Sequence, residues 1–413
     1  MMETTIIKTF LSQKLNQIRE KGLAAVLLKL SVNLTISIVL VPVVLIVRLL
    51  RPVILIRFGM LPSQRIGHFA GNTEMILCER DYTNNDQKSC DLFYCRGFVS
   101  NYQLKRMWKR KLHIYPFVFY LSVLNKLLPG GDVHNIKLPS NRYKAKYLSL
   151  HGKHLDFTSK EKLLGKKYLN KVGLNDDDKF VCLYVRDSRY LDEVFGAKTR
   201  KDFSYHDYRD ANINNLVEAA EYLADLGYYV FRIGYLVKNK INTDHPRIID
   251  YATNGDRSEF LDIYLSAKCE FFLSSGGGIT AVAEIFGRPC VAVNNIPLEF
   301  IHAQPKNLHI PRKLYSKEKR RFLTFKEIID SGVGKFLRSI DYEHEKLECV
   351  ENTPAEIKAI TVEMVERLNG TWIADRMDDK LQQRFLEIYP DDVGKPMNKC
   401  GAEFLRQNKG LID

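Results

Sequence analysis

The sequence runs to 413 residues, too long for one ordinary domain, so two cores with appendages are expected. Apolar residues make up 45% and charged residues 27%, which excludes a disordered or collagen-like chain. The net charge of +13 suits an anionic partner such as lipid headgroups or phosphorylated substrates. No nucleic-acid motif accompanies it, and the basic runs 105–111 and 317–321 read as solvated faces, so nucleic acid is not expected as a partner.

The first distinctive stretch is Leu30–Val47, LSVNLTISIVLVPVVLIV, a run without charge. A spanning helix needs about 20 apolar residues, so the run is marginal, and Pro42 favours a kink. Lys21 and Lys29 precede it; Arg48, Arg51 and Arg57 follow, which leaves no clear inside bias. Residues 1–51 therefore read as a re-entrant or interfacial anchor on an anionic membrane surface. A buried core helix is the alternative.

A first domain is expected over 52–175. PVILIR, 52–57, reads as a buried strand ending at Phe58-Gly59. A helix including RIGHFAGNTE, 65–74, follows; its Gly67 and Gly71 share a face and permit a close approach. MILCER, 75–80, and CDLFYCRG, 90–97, read as strands, and 100–111 and 117–128 as helices. Pro129-Gly130-Gly131 breaks the chain. Thr158 to Glu161 is a capping box opening a helix with Leu164, Tyr168 and Val172 along it. The acidic GLNDDDK, 173–179, reads as a linker.

A second domain, 176–310, is more regular. Strands are expected at 180–186, 228–234, 247–251, 270–274 and 289–294. Between them lie helices at 212–227, with Leu216, Ala219, Ala220, Leu223 and Leu226 as its apolar stripe, at 258–267 with Ser258 as N-cap, and after the glycines of FFLSSGGGITAVAEIFGRPC. This alternation makes the fold class α/β, with a parallel, doubly wound sheet. Beyond it, 353–371 is a helix, and 311–413 reads as C-terminal helices packing back across the domains.

Ligands of such sheets bind beyond the C-terminal strand ends. Those ends collect Arg186, Asp187, Arg232, Asp250, Ser274, Ser275, Gly276, Gly277 and Gly278. A helix starting at Gly277 or Gly278 would present N–H groups to an anion, and an arginine would add charge, so the set reads as a diphosphate cradle. A tight turn with no ligand is the plain alternative. Glu284 could hydrogen-bond a ribose or be a core-edge carboxylate. Arg209, Asp210 and Asn212 sit after the first strand, where Asp210 could simply cap a helix. No Walker lysine and no G-x-G-x-x-G are present, so neither an ATPase nor a nicotinamide enzyme is indicated. The matching edge of the first domain carries Arg57, Arg65, His68, Asn72 and Glu74. His68, Glu74 and Asp187 are candidates for a general base, with Arg57, Arg65 and Asn72 on the acceptor side. Cysteine usage, eight residues with no C-x-x-C pair, argues against a zinc module or disulfide framework and for a reducing compartment.

The order of VILIRFGMLPSQRIGHFAGNTEMILCERD, DLFYCRGFVSNYQLKRMWKRKL, LPGG, VCLYVRDSRYL, YHDYRDANINNLVEAAEYLADLGYYVFRIG and SEFLDIYLSAKCEFFLSSGGGI resembles a family of bacterial glycosyltransferases found with surface-polysaccharide biosynthesis. The resemblance implies a GT-B architecture of two facing Rossmann-like domains, with a nucleotide-sugar donor on the second and a glycan or lipid-linked acceptor on the first. It further implies a metal-free reaction without other cofactors, with Ser274–Gly278 and Arg186 holding the diphosphate. The N-terminal anchor and the basic surface suggest a peripheral or monotopic setting on the cytoplasmic face of the bacterial inner membrane. A nucleotide-sugar epimerase, a non-catalytic membrane-associated nucleotide- or phosphate-binding module and a polyanion-binding protein remain as alternatives.

Overall fold

A computed structural model of the chain describes Thr35 and residues 38–83, 88–137, 153–196, 202–299, 304–390 and 394–412. In chain order, helix α1 (38–49) leads to strand β1 (Leu55–Leu61), a π-helical stretch His68–Asn72 and helix α2 (Thr73–Thr83). Then come β2 (Ser89–Cys95), α3 (Tyr102–Lys109), β3 (His113–Ile114), α4 (Val118–Leu127) and α5 (Ser159–Lys171). The regular half holds β4 (Phe180–Tyr184), α6 (Val217–Asp225), β5 (Tyr229–Arg232), β6 (Ile248–Ile249), α7 (Glu259–Lys268), β7 (Phe272–Ser274), α8 (Thr280–Ile285) and β8 (Cys290–Asn295). The last part adds β9 (Leu308–Pro311), β10 (Lys313–Ser316), β11 (Arg321–Phe322), α9 (Phe325–Asp330), α10 (Ser339–His344), β12 (Leu347–Val350), α11 (Pro354–Asn369), α12 (Arg376–Glu387), β13 (Lys399–Cys400) and α13 (Ala402–Gln407).

The chain divides into two compact units, and it passes between them more than once. The first unit takes the described residues up to Leu61, then 88–96 and 112–137; the second takes the rest. The helices after β1 and β2 thus belong to the second unit, and the acidic stretch 173–179 lies wholly inside it.

In the first unit β1, β2 and β3 form a parallel sheet in that order. The strand β1 runs through Phe58-Gly59 rather than ending there. Gly59 is registered against Phe93, whose ring lies 2.5 Å from where a Cβ would stand. Val44 and Val47 of α1 pack with Phe58, Tyr94, Val118, Leu121 and Leu124. Arg48 donates to the carbonyls of Asn125, Leu128 and Pro129, which closes the C-terminal turn of α4. The other face of α1 leaves Ile38, Val39, Ile46 and Leu49 exposed. No helix of the described residues is long and apolar enough to cross a membrane, and part of Leu30–Val47 lies outside them.

In the second unit one sheet has the order β13-β9-β8-β7-β4-β5-β6, with every pair parallel. The chain winds outward from β4 through β5 and β6, then returns to the other side of β4 and winds through β7, β8 and β9. The fold is α/β with a Rossmann-like sheet, and its strand order reverses between β4 and β7. The residues 75–80 are helical, part of α2, and not a strand. Met75, Ile76, Leu77 and Cys78 are all buried, and a short run that is apolar all round suits a buried helix as well as a buried strand. In α6 the stripe Leu216, Ala219, Ala220 and Leu223 is buried, but Leu226 is exposed because the helix ends at Asp225. In α5 the buried face runs through Gly165 and Tyr168, leaving Leu164 exposed; Gly165 is where the Tyr264 ring rests. The region 311–413 is not purely helical. It holds the antiparallel sheet β11-β10-β12 and contributes β13 to the main sheet, while α11 packs on α6 within this unit.

Candidate functional site

The switch between β4 and β7 lies where β7 runs into Ser274-Ser275-Gly276-Gly277-Gly278. Gly276 takes φ of 86°, a left-handed conformation that favours glycine. Its N–H donates to Ser274 Oγ at 2.9 Å, and that hydroxyl also pairs with Thr280 Oγ1 at 2.9 Å. Ser275 Oγ accepts the Arg186 N–H at 2.9 Å, and Ser275 N–H donates to the Tyr184 carbonyl at 3.1 Å. Both serines therefore shape the loop and fasten it to β4. A Cβ on Gly277 would enter the Tyr184 ring, and one on Gly278 would lie 2.9 Å from the Gly67 nitrogen. Gly67 in turn lies against Gly278, and Gly71 faces Ala281. The close approach expected at Gly67 and Gly71 is thus made by the glycine loop and α8, and His68 follows directly on this contact. Among the described residues the N–H groups of Gly277 and Gly278 donate to no acceptor. The helix α8 starts at Thr280, later than expected, and is only one and a half turns long. The donors available to an anion here are the loop's own N–H groups and those of neighbouring cations, not a helix dipole.

Arg209 is the foremost of those cations. It closes a 3-10 helix, Ser204–Arg209, and its Nη2 is 3.5 Å from where a Gly276 Cβ would stand. Among the described residues its guanidinium makes no hydrogen bond and no ion pair. Burial lowers its pKa, with Arg186 and Arg65 acting in the same direction. Arg186 is buried and paired with Asp210, but its Nη2 has no partner. Arg65 lies over the Phe203 ring, 5.5 Å from its centroid. His206 is pushed down to about 4 by burial and then by Arg186, Arg209 and Arg65, and its Nδ1 is buried without a partner. Tyr184 is pushed up to about 12 by burial. The result is a concentration of positive charge with unspent donors beside a loop of free N–H groups.

The expected site residues fall into groups. Ser274, Ser275, Gly276, Gly277, Gly278 and Arg186 come together as described. Arg65 and His68 join them: burial and the Arg65 charge lower the His68 pKa, while a hydrogen bond that His68 donates to Asn72 works against this. Asp187 accepts the N–H groups of Arg189 at 3.0 Å and Lys238 at 3.1 Å, one on each oxygen. With Asp210, Arg232 and Lys238 it lines a cavity of about 170 Å³. Arg232 and Asp250 are bonded to each other at 3.0 Å, Arg232 also donates to the Asn239 carbonyl, and Asp250 also accepts from Ile241 N–H. Glu284 accepts from Asn307 at 3.3 Å, and burial pushes its carboxyl up to about 7. Glu74 is fully buried and accepts the N–H groups of Lys153 and His154 at 2.6 and 3.1 Å. Arg57, in the first unit, forms a two-pronged ion pair with Asp91, its cross-strand neighbour on β2, at 2.7 and 2.9 Å. His206 and Tyr184 were absent from the expected set, and Arg209 was noted there only beside Asp210 and Asn212, with a plain helix cap as the alternative. The available signal was YHDYRD, a polar and aromatic cluster directly after a strand that ends at the switch point.

No family model matches the sequence, and no curated protein matches it. Among solved structures the chain is similar to a family 9 glycosyl transferase from Veillonella parvula DSM 2008, at 11% identity and a TM-score of 0.46, over 76% of this chain and 96% of that one. It is similar to the ADP-heptose lps heptosyltransferase II of E. coli, at 13% identity and 0.37, over 62% and 90%. It is also similar to a UDP-GlcNAc 2-epimerase of Methanocaldococcus jannaschii, at 10% identity and 0.29, over 75% and 99%. At these scores the likenesses do not decide between activities.

Proposed function

We propose that the chain is a glycosyltransferase, moving a sugar from a nucleotide-sugar donor to a glycan or lipid-linked acceptor of a bacterial surface polysaccharide. The observation that carries this is the unpaired Arg209 guanidinium beside a glycine loop with free N–H groups at the switch point of a Rossmann-like sheet. An unpaired, largely buried cation is costly, and a diphosphate would satisfy it.

In the reaction the acceptor oxygen bonds to the anomeric carbon while the bond from that carbon to the diphosphate oxygen breaks. The departing diphosphate takes up negative charge, and Gly277 N–H, Gly278 N–H and Arg209 are disposed to stabilise it with no metal on the leaving group. The acceptor hydroxyl's proton passes to a base. His68 fits best of the three candidates: its lowered pKa keeps it neutral near pH 7, whereas Asp187 has both oxygens engaged and Glu74 is enclosed. The exposed apolar face of α1 and the basic residues around it support a peripheral or monotopic position on the inner surface of the bacterial membrane, close to a lipid-linked acceptor.

Thermal unfolding against a panel of nucleoside diphosphates and nucleotide sugars tests this reading. A ligand at 100 times its Kd adds about 2.7 kcal/mol, a visible rise in the midpoint. A rise with one nucleotide family, followed by sugar transfer to membrane-extracted glycolipid, is expected. Absence of any rise, or conversion of the donor to an epimer without acceptor, would overturn it.

A further inference from the structure

A second polar cluster lies away from the glycine loop. Glu74 and Cys78 are four residues apart on α2, hence on one face, and neither side chain reaches solvent. His154 faces them. Its Nδ1 is 2.9 Å from Glu74 Oε1, the oxygen that also accepts the two backbone N–H groups. The other oxygen, Oε2, is buried with no partner. Cys78 carries a free thiol in hydrogen-bond reach of His154. One ligand atom from each of Glu74, Cys78 and His154 lies within 4.8 Å of the others. On the far side of the imidazole, His154 Nε2 is 2.7 Å from Asp81 Oδ2.

We propose that Glu74, Cys78 and His154 bind a divalent transition-metal ion of the zinc class, with Asp81 orienting the imidazole. Thiolate, imidazole and carboxylate together are a borderline-soft donor set that suits Zn²⁺. Metal–ligand bonds of about 2.0–2.3 Å in a tetrahedron set neighbouring ligand atoms roughly 3.3–3.7 Å apart, so the cluster needs adjustments of about an ångström or less. A carboxylate on the far nitrogen of a metal-binding histidine fixes the tautomer, here Nε2–H, and leaves the Nδ1 lone pair for the ion. The ion would also satisfy the orphaned Glu74 Oε2. Binding releases two protons to solvent, that of the Cys78 thiol and the one shared by His154 Nδ1 and Glu74 Oε1. A search for paired cysteines passes over this site because only one of its ligands is a cysteine.

The three side chains fill three of the four tetrahedral positions, and the place of the ion gives it a task. It ties α2 to the segment beginning at Lys153. That side chain lies over Gly287, just past α8, while Phe157 stacks on Phe286 at 5.4 Å and meets Tyr264 edge-on at 5.2 Å. The clamp therefore steadies α8, the helix that leaves the glycine loop. It stands or falls apart from the nucleotide-sugar reading.

Full-length protein, purified without a histidine tag and stripped with chelator, would be titrated with Zn²⁺ and with Co²⁺. The expected result is about one ion per chain retained through dialysis, a higher unfolding midpoint with Zn²⁺, and a thiolate-to-cobalt charge-transfer band. Cys78→Ser abolishes the band and His154→Gln the retention, while Asp81→Asn keeps the band and weakens affinity about 10–100-fold. Circular dichroism establishes that each variant is folded, and Asp81→Asn keeps the test decisive if the other two are not. Folded wild-type protein with no band at saturating Co²⁺, or retention unchanged in folded Cys78→Ser and His154→Gln, would overturn the proposal and leave the triad bridged by a proton.

Discussion

Replacing Arg209 by methionine separates a ligand-binding cation from a structural one. Its guanidinium has no partner among the described residues, so the free protein carries its desolvation without compensation. An unsatisfied buried polar group costs about 1–3 kcal/mol, and partial solvent contact puts Arg209 near the lower end, about 1 kcal/mol. Arg209→Met should therefore raise the midpoint of the free protein by about 1–2 °C. The same change removes charge-assisted bonds to a diphosphate, worth about 1.5–3 kcal/mol, so nucleoside diphosphate affinity should fall about 10–150-fold. Arg186→Met serves as the control. It strands Asp210 with only Lys238 at 3.4 Å, and loss of one member of a buried pair costs about 3 kcal/mol, so this variant should melt lower. Differential scanning fluorimetry with and without the best nucleotide, plus calorimetric titration, reads both quantities. Unchanged nucleotide affinity in Arg209→Met, or a lower midpoint without ligand, would refute the reasoning.

Four further outcomes follow from the same contacts. Gly67→Ala places a Cβ 2.7 Å from the Gly278 Cα, backbone that cannot yield, and should cost about 1–3 kcal/mol in a melt while weakening nucleotide binding; Gly71→Ala, whose Cβ meets Ala281 at an ordinary 3.8 Å, should be neutral or stabilising. The Glu284 carboxyl is raised to about 7 from an ordinary 4.5, so its burial burdens the fold only where it is charged; Glu284→Gln should match wild type at pH 4.5 and gain on it in denaturant titrations as pH rises through 7. His206, pushed down to about 4 from 6.5, binds its proton more readily unfolded; wild type should lose stability as pH falls between these values, and His206→Gln should lose less over that window in pH-dependent melts. On α1, Ile46→Glu with Leu49→Glu should reduce co-sedimentation with anionic vesicles and leave the midpoint nearly unchanged, whereas Val47→Glu, in the first unit's core, should unfold it.

The sequence announced strands β4 to β8 of the second unit's sheet, though not β9 and β13, because the signals there are local and agree with one another. Ser258 caps α7 through Leu261 N–H, Thr353 and Glu356 form a capping box on α11, and the buried stripe of α6 has helical spacing. Less legible were features set by distant partners. Within the run 75–80, Met75 to Cys78 are apolar at consecutive positions, a pattern with no period, and only their burial on all sides marks a helix. That the segments after β1 and β2 pack with the second unit depends on contacts far apart in sequence, such as Trp108 Nε1–H to the Phe69 carbonyl at 3.1 Å and Asn101 Nδ2 to the Glu259 carbonyl at 2.9 Å. At the site, position along a strand end showed which residues gather there and not which are spent on each other. Arg232 is ion-paired with Asp250, with only its Nε left over, while the Arg209 guanidinium, on the same edge, is left unpaired among the described residues.

The three glycines after Ser275 illustrate how far composition alone can carry a functional argument. Each has a packing reason that needs no ligand: Gly276 its left-handed backbone, Gly277 the Tyr184 ring, Gly278 the backbone at Gly67. A glycine-rich turn would be required here in a protein that bound nothing. What packing does not require is that the N–H groups of Gly277 and Gly278 lack acceptors, or that a largely buried arginine beside them lacks an anion. A sequence under pressure for stability alone would pair that charge or replace it, since an unmatched buried cation weakens the fold. The donors left over after the fold has been satisfied, the two loop N–H groups and the Arg209 guanidinium, therefore carry the proposal of an anionic ligand, which the packing of the three glycines alone does not.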